Sequence, residues 1–169
     1  MKYLAITSPD IENGTGCRVT LWIPGCAHNC PGCHTPWTHD YNQGKEFTID
    51  EFDKICEILE KPYIKGLTIS GGDPLMQSDE TLLDLLQLVY DIKNAYKDKD
   101  IWIYTGYYIS ELKDIQLDIL KYCDYVVEGP FEIDKRDITL PFRGSTNQRI
   151  IDLKNYHSYC NIINYEDTV

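Results

Sequence analysis

Basic residues are scarce in this 169-residue sequence, which has 16 Lys and Arg against 27 Asp and Glu and a formal net charge of −11. Binding of nucleic acid relies on clustered Lys and Arg, which displace counterions from phosphates. The acidic balance therefore argues against nucleic acid as the main partner. With 43% hydrophobic residues, a chain of this length can bury roughly 70% of its unfolded surface without disulfide bonds.

Long apolar segments are also missing. No hydrophobic run approaches the ~20 residues that cross a bilayer, and the N-terminal residues lack the basic stretch and apolar core of a secretory signal. No internal repeat, low-complexity tract or long linker marks a domain boundary. We therefore expect a single domain over residues 1–169, located in the cytoplasm and without a membrane partner.

The seven cysteines are unevenly distributed, because Cys26, Cys30 and Cys33 fall within eight residues and the other four are scattered. In a chain expected in the cytoplasm, this clustering indicates metal or redox chemistry rather than a disulfide framework. The scattered cysteines are expected to be small buried apolar residues. They are Cys17, Cys56, Cys123 and Cys160.

Strand and helix patterns alternate along the sequence. Runs of β-branched and aromatic residues predict strands at 3–7, 17–23, 66–70, 100–104 and 125–127, with an additional strand at 149–153. Apolar residues at helical spacing predict helices over about 48–62, 82–92 and 112–119. This order is typical of an α/β fold with a mostly parallel sheet and right-handed crossovers. Because the chain is short for eight repeats, we expect an open partial (β/α) barrel.

Three candidate functional loops each follow a predicted strand directly. They are residues 26–33, Gly71-Gly72-Asp73 and Thr105-Gly106. The carboxyl ends of parallel strands meet at one edge of a sheet, so these loops should converge there. The last ~40 residues, from Gly129 on, carry less periodic signal. Within them, residues 129–148 are expected to form an ordered or partner-dependent loop, and this C-terminal part is a candidate partner-contact region.

The cysteine spacing C-x-x-x-C-x-x-C provides three thiols on one short loop. A structural zinc site uses four protein ligands, and a 4Fe-4S cluster usually takes four cysteines. Three cysteines would leave one iron open to a ligand from outside the protein. One alternative is a zinc knuckle with His28, His34 or His39 as fourth ligand, and another is three unliganded core cysteines. Their Pro, Gly, His and Asn neighbours do not resemble a core segment.

The Gly-Gly-Asp-Pro sequence allows close backbone approach to a ligand at Gly71 and Gly72, and Asp73 adds a negative charge. The alternative for this sequence, as for Thr105-Gly106, is an ordinary turn after a strand. Four further residues are candidate contacts for an anion or a partner, although an exposed Arg is more often a solvated surface group. They are Arg18, Arg143, Asn147 and Arg149.

Together, the cysteine motif and Gly-Gly-Asp-Pro resemble the radical S-adenosylmethionine (radical SAM) superfamily. Within it, the chain resembles the activating proteins of anaerobic (class III) ribonucleoside-triphosphate reductases along nearly its whole length. The matching stretches are DIENGTGCRVTLWIPGCAHNCPGCHTPWT, LTISGGDPL, IWIYTGY and VVEGPF…FRGSTNQRIID. The resemblance implies a radical SAM type of partial barrel.

For the cysteine loop, the resemblance implies that Cys26, Cys30 and Cys33 hold three irons of a 4Fe-4S cluster. The amino and carboxylate groups of SAM would chelate the fourth iron. Gly32, Cys33 and His34 match positions that lie against SAM. In the superfamily, the residue before the last cysteine is often aromatic and packs on adenine. Here it is Gly32, so adenine must contact another surface.

For the other loops, the resemblance implies that Gly71, Gly72 and Asp73 meet the SAM ammonium, where the superfamily usually has Glu in place of Asp73. Thr105 would contact the ribose or methionine end of SAM. No protein side chain is implied as a catalytic group, since cluster and SAM carry the chemistry.

The implied activity is that of a glycyl-radical activating enzyme. Reductive cleavage of SAM would give a 5′-deoxyadenosyl radical, which abstracts hydrogen from a glycine in the large catalytic subunit of the reductase. The resemblance also implies a low-potential donor such as flavodoxin, a homodimer and sensitivity to oxygen. Alternatives are a radical SAM enzyme acting on another glycyl-radical enzyme or a small metabolite, and a zinc-binding interaction module.

Overall fold

The structure, a computed structural model, describes residues 1–155. Strands and helices alternate along the middle of this range. The strands are β1 (Lys2–Tyr3), β2 (Ala5–Asp10), β3 (Cys17–Ile23), β4 (Lys45–Glu46), β5 (Ile64–Gly71), β6 (Asp100–Tyr104), β7 (Tyr125–Glu128) and β8 (Arg149–Asp152). The α-helices are α1 (Ile49–Leu59), α2 (Asp79–Ala95) and α3 (Asp114–Leu120).

Six strands form one sheet in the order β2-β3-β5-β6-β7-β8. The four central strands pair in parallel, while β2 and β8 are antiparallel edge strands. β1 and β4 form a separate antiparallel pair. The α/β class and the mostly parallel sheet are therefore confirmed. The described residues form no closed barrel, and the open partial barrel stays a prediction.

The two faces of the sheet differ because side chains alternate along each strand. On one face, Leu21, Ile69 and Ile103 are fully buried in a cluster that includes apolar residues of α1 and α2. On the other face, Thr68 and Trp102 are equally buried, and Trp102 belongs to a second, smaller cluster. The large core thus lies between the sheet and the helices.

Helix α1 begins at a capping box, as its sequence predicts. The N–H and hydroxyl groups of Thr48 donate to Glu51 Oε2 at 2.9 and 2.7 Å. These hydrogen bonds lower the pKa of Glu51 to about 2. The Asp50 N–H donates in turn to Thr48 Oγ1 at 3.3 Å, so two backbone donors at the start of the helix, those of Thr48 and Asp50, have a partner.

The observed elements differ from the predicted ones mainly at their ends. Leu112 lies outside α3, at the end of a 3₁₀ turn, because the Lys113 N–H donates to Gln116 Oε1 at 2.7 Å and starts the helix after it. The first predicted strand is divided into β1 and β2. Along β2 the register against β3 shifts between Thr7 and Asp10, where Pro9 offers no N–H for pairing.

The segment 129–148 is an ordered connection between β7 and β8. Its two ends are joined, because the side-chain amides of Asn147 and Gln148 donate to the carbonyls of Pro130 and Gly129 at 2.7 and 3.1 Å. The strand predicted after it is confirmed as β8. None of the described helices combines the length and apolar character needed to cross a membrane.

The scattered cysteines follow the expected pattern in part. Cys123 is buried, whereas Cys17 and Cys56 are half-buried at the margin of the main core. Each of these two positions lies near the end of its element or beside solvent, so the core covers only one side of the thiol. Cys160 lies outside the described residues.

Candidate functional site

The cysteine loop (residues 24–35) leaves the carboxyl end of β3 and turns at once. Gly25 has φ +101°, a conformation that favours glycine. The N–H groups of Gly25 and Cys26 then donate to the carbonyls of Thr38 and His39 at 2.7 and 3.1 Å. These bonds anchor the start of the loop, and the loop carries all three clustered thiols, each half-buried.

The Gly-Gly-Asp turn (residues 71–74) lies directly against the start of the cysteine loop. The N–H of Gly72 donates to Ile23 O and that of Asp73 to Gly25 O, both at 2.8 Å. A side chain at Gly72 would collide with the backbone of Gly25. The close backbone approach predicted for these glycines is thus made by the cysteine loop itself.

Asp73 joins the three candidate loops. Its side chain is 1% exposed. Its Oδ2 accepts hydrogen bonds from Gly106 N–H at 2.8 Å and Thr105 Oγ at 3.0 Å, and lies 2.8 Å from His28 Nε2. Its Oδ1 accepts from Leu75 N–H at 2.9 Å. The predicted convergence of the loops at one sheet edge is confirmed, with one carboxylate at its centre.

Gly32 and His34 lie on the outer part of the cysteine loop and are exposed. A Cβ at Gly32 would come within 2.8 Å of Ile133 Cδ1 and 3.6 Å of Phe131. The segment 129–148 therefore reaches the residue that precedes Cys33. The Cys33 thiol itself lies 3.4 Å from His39 Nε2.

Several residues that support the site were not identified from the sequence. The Gln77 amide donates to Pro24 O and Asp73 O at 3.0 and 2.8 Å, and Thr35 Oγ donates to Gly71 O at 3.2 Å. His28 was considered only as a zinc ligand. Apart from the bond between Gln77 and Asp73, these contacts join residues 36 to 53 positions apart, so no local sequence pattern predicts them. The one available signal is closeness to a motif, since His28 and Thr35 belong to the cysteine loop and Gln77 lies four residues after Asp73.

The chemistry of the cysteine loop fits a cluster that carries its own positive charge. Burial raises the pKa of the Cys26 thiol to about 11, and the Asp73 carboxylate adds to that rise against a backbone hydrogen bond from His28. Coordination to a metal cation reverses this and deprotonates a thiol outright. Among residues 1–155, no three His, Cys, Asp or Glu side chains form a group that could hold a single metal ion.

Arg18 is not a contact for an anion or a partner, and that expectation is wrong. Its side chain is fully buried at the amino end of the sheet, where its Nη2 lies 2.6 Å from Asp100 Oδ1 and its Nε donates to Thr68 Oγ at 2.7 Å. Arg149 forms an ion pair with Glu128 and stacks over Tyr108. Internal partners thus account for both charges.

Asn147 and Arg143 are half-buried within the segment 129–148. The Asn147 amide nitrogen donates to Pro130 O at 2.7 Å, a bond that closes the segment on itself. A role of either residue in partner contact stays a prediction.

Comparison with known proteins identifies the family. Residues 12–151 match the family described as 4Fe-4S single cluster domain. The chain is 41% identical over 152 residues to the anaerobic ribonucleoside-triphosphate reductase-activating protein of Vibrio cholerae, which covers 89% of this chain and 97% of that protein. It is 39% identical over 150 residues to the protein of the same name from Enterobacteria phage T4, covering 89% and 93% of the two chains.

The protein of that name from Escherichia coli K12 is 39% identical over 156 residues, covering 91% of this chain and all of the relative. The matches thus span the cysteine loop, the Gly-Gly-Asp turn and the Thr-Gly turn (residues 105–106) together. With a 4Fe-4S domain and three converging loops in place, this chain belongs to the family of anaerobic ribonucleoside-triphosphate reductase-activating proteins.

Proposed function

We propose that this chain is a glycyl-radical activating enzyme that cleaves SAM reductively at a 4Fe-4S cluster and so activates the anaerobic reductase. When bound, cluster and SAM supply the radical chemistry: one electron enters the sulfonium, the S–C5′ bond breaks to give methionine and a 5′-deoxyadenosyl radical, and that radical takes hydrogen from a glycine α-carbon of the reductase. The residues of this chain hold both groups, orient SAM and exclude water.

The observation that carries the proposal is the convergence of three loops on the Asp73 carboxylate, which is 1% exposed. An ordinary turn after a strand, which is the alternative for this sequence, does not require three loops to meet at one buried carboxylate. The convergence places the three thiols beside two strand ends, the position where ligands bind in parallel sheets.

In this proposal Cys26, Cys30 and Cys33 are the cluster ligands, and one iron keeps an open coordination position. The half-buried state of the thiols suits this role, because a ligand must reach that iron from outside the loop. His39, 3.4 Å from the Cys33 sulfur, can donate a hydrogen bond to the coordinated thiolate. Hydrogen bonds to sulfur are one way in which proteins set the potential of a cluster.

SAM is proposed to lie along the strand ends, with its ammonium towards Gly71, Gly72 and Asp73 and its ribose or methionine end towards Thr105. Both Asp73 oxygens accept hydrogen bonds from the surrounding loops, and the carboxylate is proposed to act on the ammonium through its negative charge. Gly32 and His34 are proposed to line the SAM side of the cysteine loop.

The proposed partners are the large catalytic subunit of the reductase, a low-potential donor such as reduced flavodoxin, and a second copy of the chain in a homodimer. A cytoplasmic location is proposed with them. The exposed outer part of the cysteine loop leaves an approach for a glycine-bearing loop of the reductase.

The test is an anaerobic turnover of the reconstituted protein with dithionite, SAM and the reductase. The proposal expects methionine and 5′-deoxyadenosine in equal amounts, together with an organic radical signal on the reductase. A reductase variant with Ala at the target glycine is the matched control and should give no such radical. Absence of SAM cleavage by the iron-loaded protein would contradict the proposal. If SAM cleavage is coupled only to another glycyl-radical enzyme, that enzyme replaces the reductase as the proposed partner.

A further inference from the structure

The imidazole of His28 occupies a slot that is formed by residues outside the cysteine loop. Its Nε2 lies 2.8 Å from Asp73 Oδ2, and its side chain is 17% exposed. The ring also packs edge-on against Tyr107, with centroids 4.8 Å apart and planes at 71°. The ring is therefore held by a polar contact on one side and an aromatic contact on another.

Gly106 provides the space for this ring. A Cβ at position 106 would lie 2.5 Å from His28 Cδ2 and 2.6 Å from Nε2. The N–H of Gly106 also donates to the same Asp73 oxygen that contacts His28. The Thr-Gly turn thus shapes one wall of the slot and fixes the carboxylate inside it.

The position of His28 in the sequence connects the slot to the cysteine loop. His28 lies two residues after Cys26 and two before Cys30. Fixing its ring therefore fixes the segment that sets the separation of these two thiols. Asp73 is itself held by three donors other than His28, namely Thr105, Gly106 and Leu75. The Asp73 carboxylate is therefore held rigidly, and its contact with His28 holds the cysteine loop.

We propose that His28 is a positioning residue: through its hydrogen bond to Asp73 it sets the geometry in which the cysteine loop receives the cluster and turns it towards the strand ends. The part that concerns the response to SAM rests on the proposed function, while the part that concerns the loop and iron loading does not. The bond also directs His28 Nε2 away from metal ligation, so the imidazole acts through Asp73.

The test compares His28→Ala with His28→Gln. The Gln amide retains an N–H donor near the position of Nε2, whereas Ala removes it. Gln43→Ala is the control, since Gln43 is exposed and lies outside the cysteine loop, the Gly-Gly-Asp turn and the Thr-Gly turn. Three readouts are taken for each protein: hydrogen exchange of residues 26–34 without metal, iron affinity on anaerobic reconstitution, and the paramagnetic resonance spectrum of the reduced cluster with and without SAM.

For His28→Ala we expect faster exchange confined to the cysteine loop and roughly 10-fold weaker iron loading, the usual cost of losing a group that orients metal ligands. His28→Gln should restore most of both, and Gln43→Ala should match the wild type. Equal exchange and iron loading in His28→Ala and wild type would overturn the proposal. So would a loss in His28→Ala that His28→Gln does not reverse.

The SAM readout separates this proposal from the proposed function. If wild type loads iron but its spectrum ignores SAM, the proposed function fails, and exchange and iron loading still decide the role of His28. If wild type responds to SAM, His28→Ala that has been loaded with iron should show a smaller response, and a full response would overturn the cluster-orienting part.

Discussion

The two edges of the central sheet each bury a charged side chain, but they connect it differently. At the amino edge, Arg18 pairs with Asp100 at 2.6 Å and donates to Thr68 and to the Leu67 carbonyl, all on neighbouring strands or their ends. At the carboxyl edge, Asp73 takes its hydrogen bonds from three separate loops. The first network joins strands of one sheet, whereas the second joins loops that lie outside the strand pairing.

This difference separates stability from function. Removing the amino-edge network should lower the free energy of unfolding and leave the geometry of the cysteine loop intact. Removing the carboxyl-edge junction should disturb the loop more than the fold. In parallel α/β folds, this division between strand ends is common.

The largest effect is expected at the thiols. Cys30→Ala should abolish cluster binding and SAM cleavage while the fold persists, because the remaining thiols cannot hold the cluster. Iron content and far-ultraviolet circular dichroism check the two parts. Cys56→Ala, which removes a half-buried thiol far along the chain, should retain the iron. Full SAM cleavage by Cys30→Ala would refute the assignment of Cys30.

At the amino edge, Arg18→Met should destabilise the fold by about 3–5 kcal/mol, because Asp100 is left buried without its ionic partner. Urea unfolding measures this effect. At a temperature where the variant is still folded, its iron content per chain should equal that of the wild type. Selective loss of iron from folded Arg18→Met would mean that the two edges are not separable.

Gly66, on β5, and Gly72, just beyond its end, allow a closer comparison of the two edges of the sheet. A side chain at Gly66 would collide with Asp100 O, and one at Gly72 with Gly25 O. Gly66→Ala and Gly72→Ala should each cost about 1–3 kcal/mol of stability through overpacking. Only Gly72→Ala should also reduce SAM cleavage, by on the order of 100-fold for a displacement near 1 Å. Equal losses of cleavage in the two variants, both assayed folded, would contradict the separation.

The smallest effect concerns acid stability at the amino edge. Burial alone would raise the pKa of Asp124, but hydrogen bonds from Lys154, Lys93 and the Ile101 N–H outweigh it and lower the pKa. A lowered pKa in the folded state means that this stabilisation is complete above the unfolded value of about 3.9 and is lost as pH falls through the folded pKa. The urea midpoint should therefore drop between pH 6 and pH 3.

In Asp124→Asn this drop should be smaller, since the titrating group is gone. Asp53→Asn is the control, because Asp53 is an exposed residue of α1. An unchanged pH dependence in Asp124→Asn would show that other carboxylates dominate acid unfolding.

The fold and the location of the candidate site could be predicted from local sequence patterns, but the side-chain contacts within the site could not. Apolar periodicity identifies the central strands and helices, and the order of strands brings residues 26–33, 71–73 and 105–106 to one edge. The ends of these elements are less certain, because hydrogen bonds such as that from the Lys113 N–H to Gln116 at the start of α3 decide them. The register shift in β2 likewise depends on a single proline.

The roles of Arg18 and His28 depend on contacts between distant segments. Arg18 meets Asp100 across 82 residues, and His28 meets Asp73 across 45. The sequence does not show which distant residue a charge or an imidazole will contact, so it predicts Arg18 as a contact for an anion or a partner and offers His28 only as a fourth ligand in the zinc alternative. The glycines were informative because their need for close approach is local, although the neighbour they approach is not.

The most direct test of the central claim is an electron paramagnetic resonance spectrum of anaerobically reconstituted, dithionite-reduced protein, recorded with and without SAM. The account predicts the signal of a reduced 4Fe-4S cluster whose shape changes when SAM is added, because three cysteines leave one iron open beside the Gly-Gly-Asp turn. A protein that binds zinc and gives no cluster signal would contradict it.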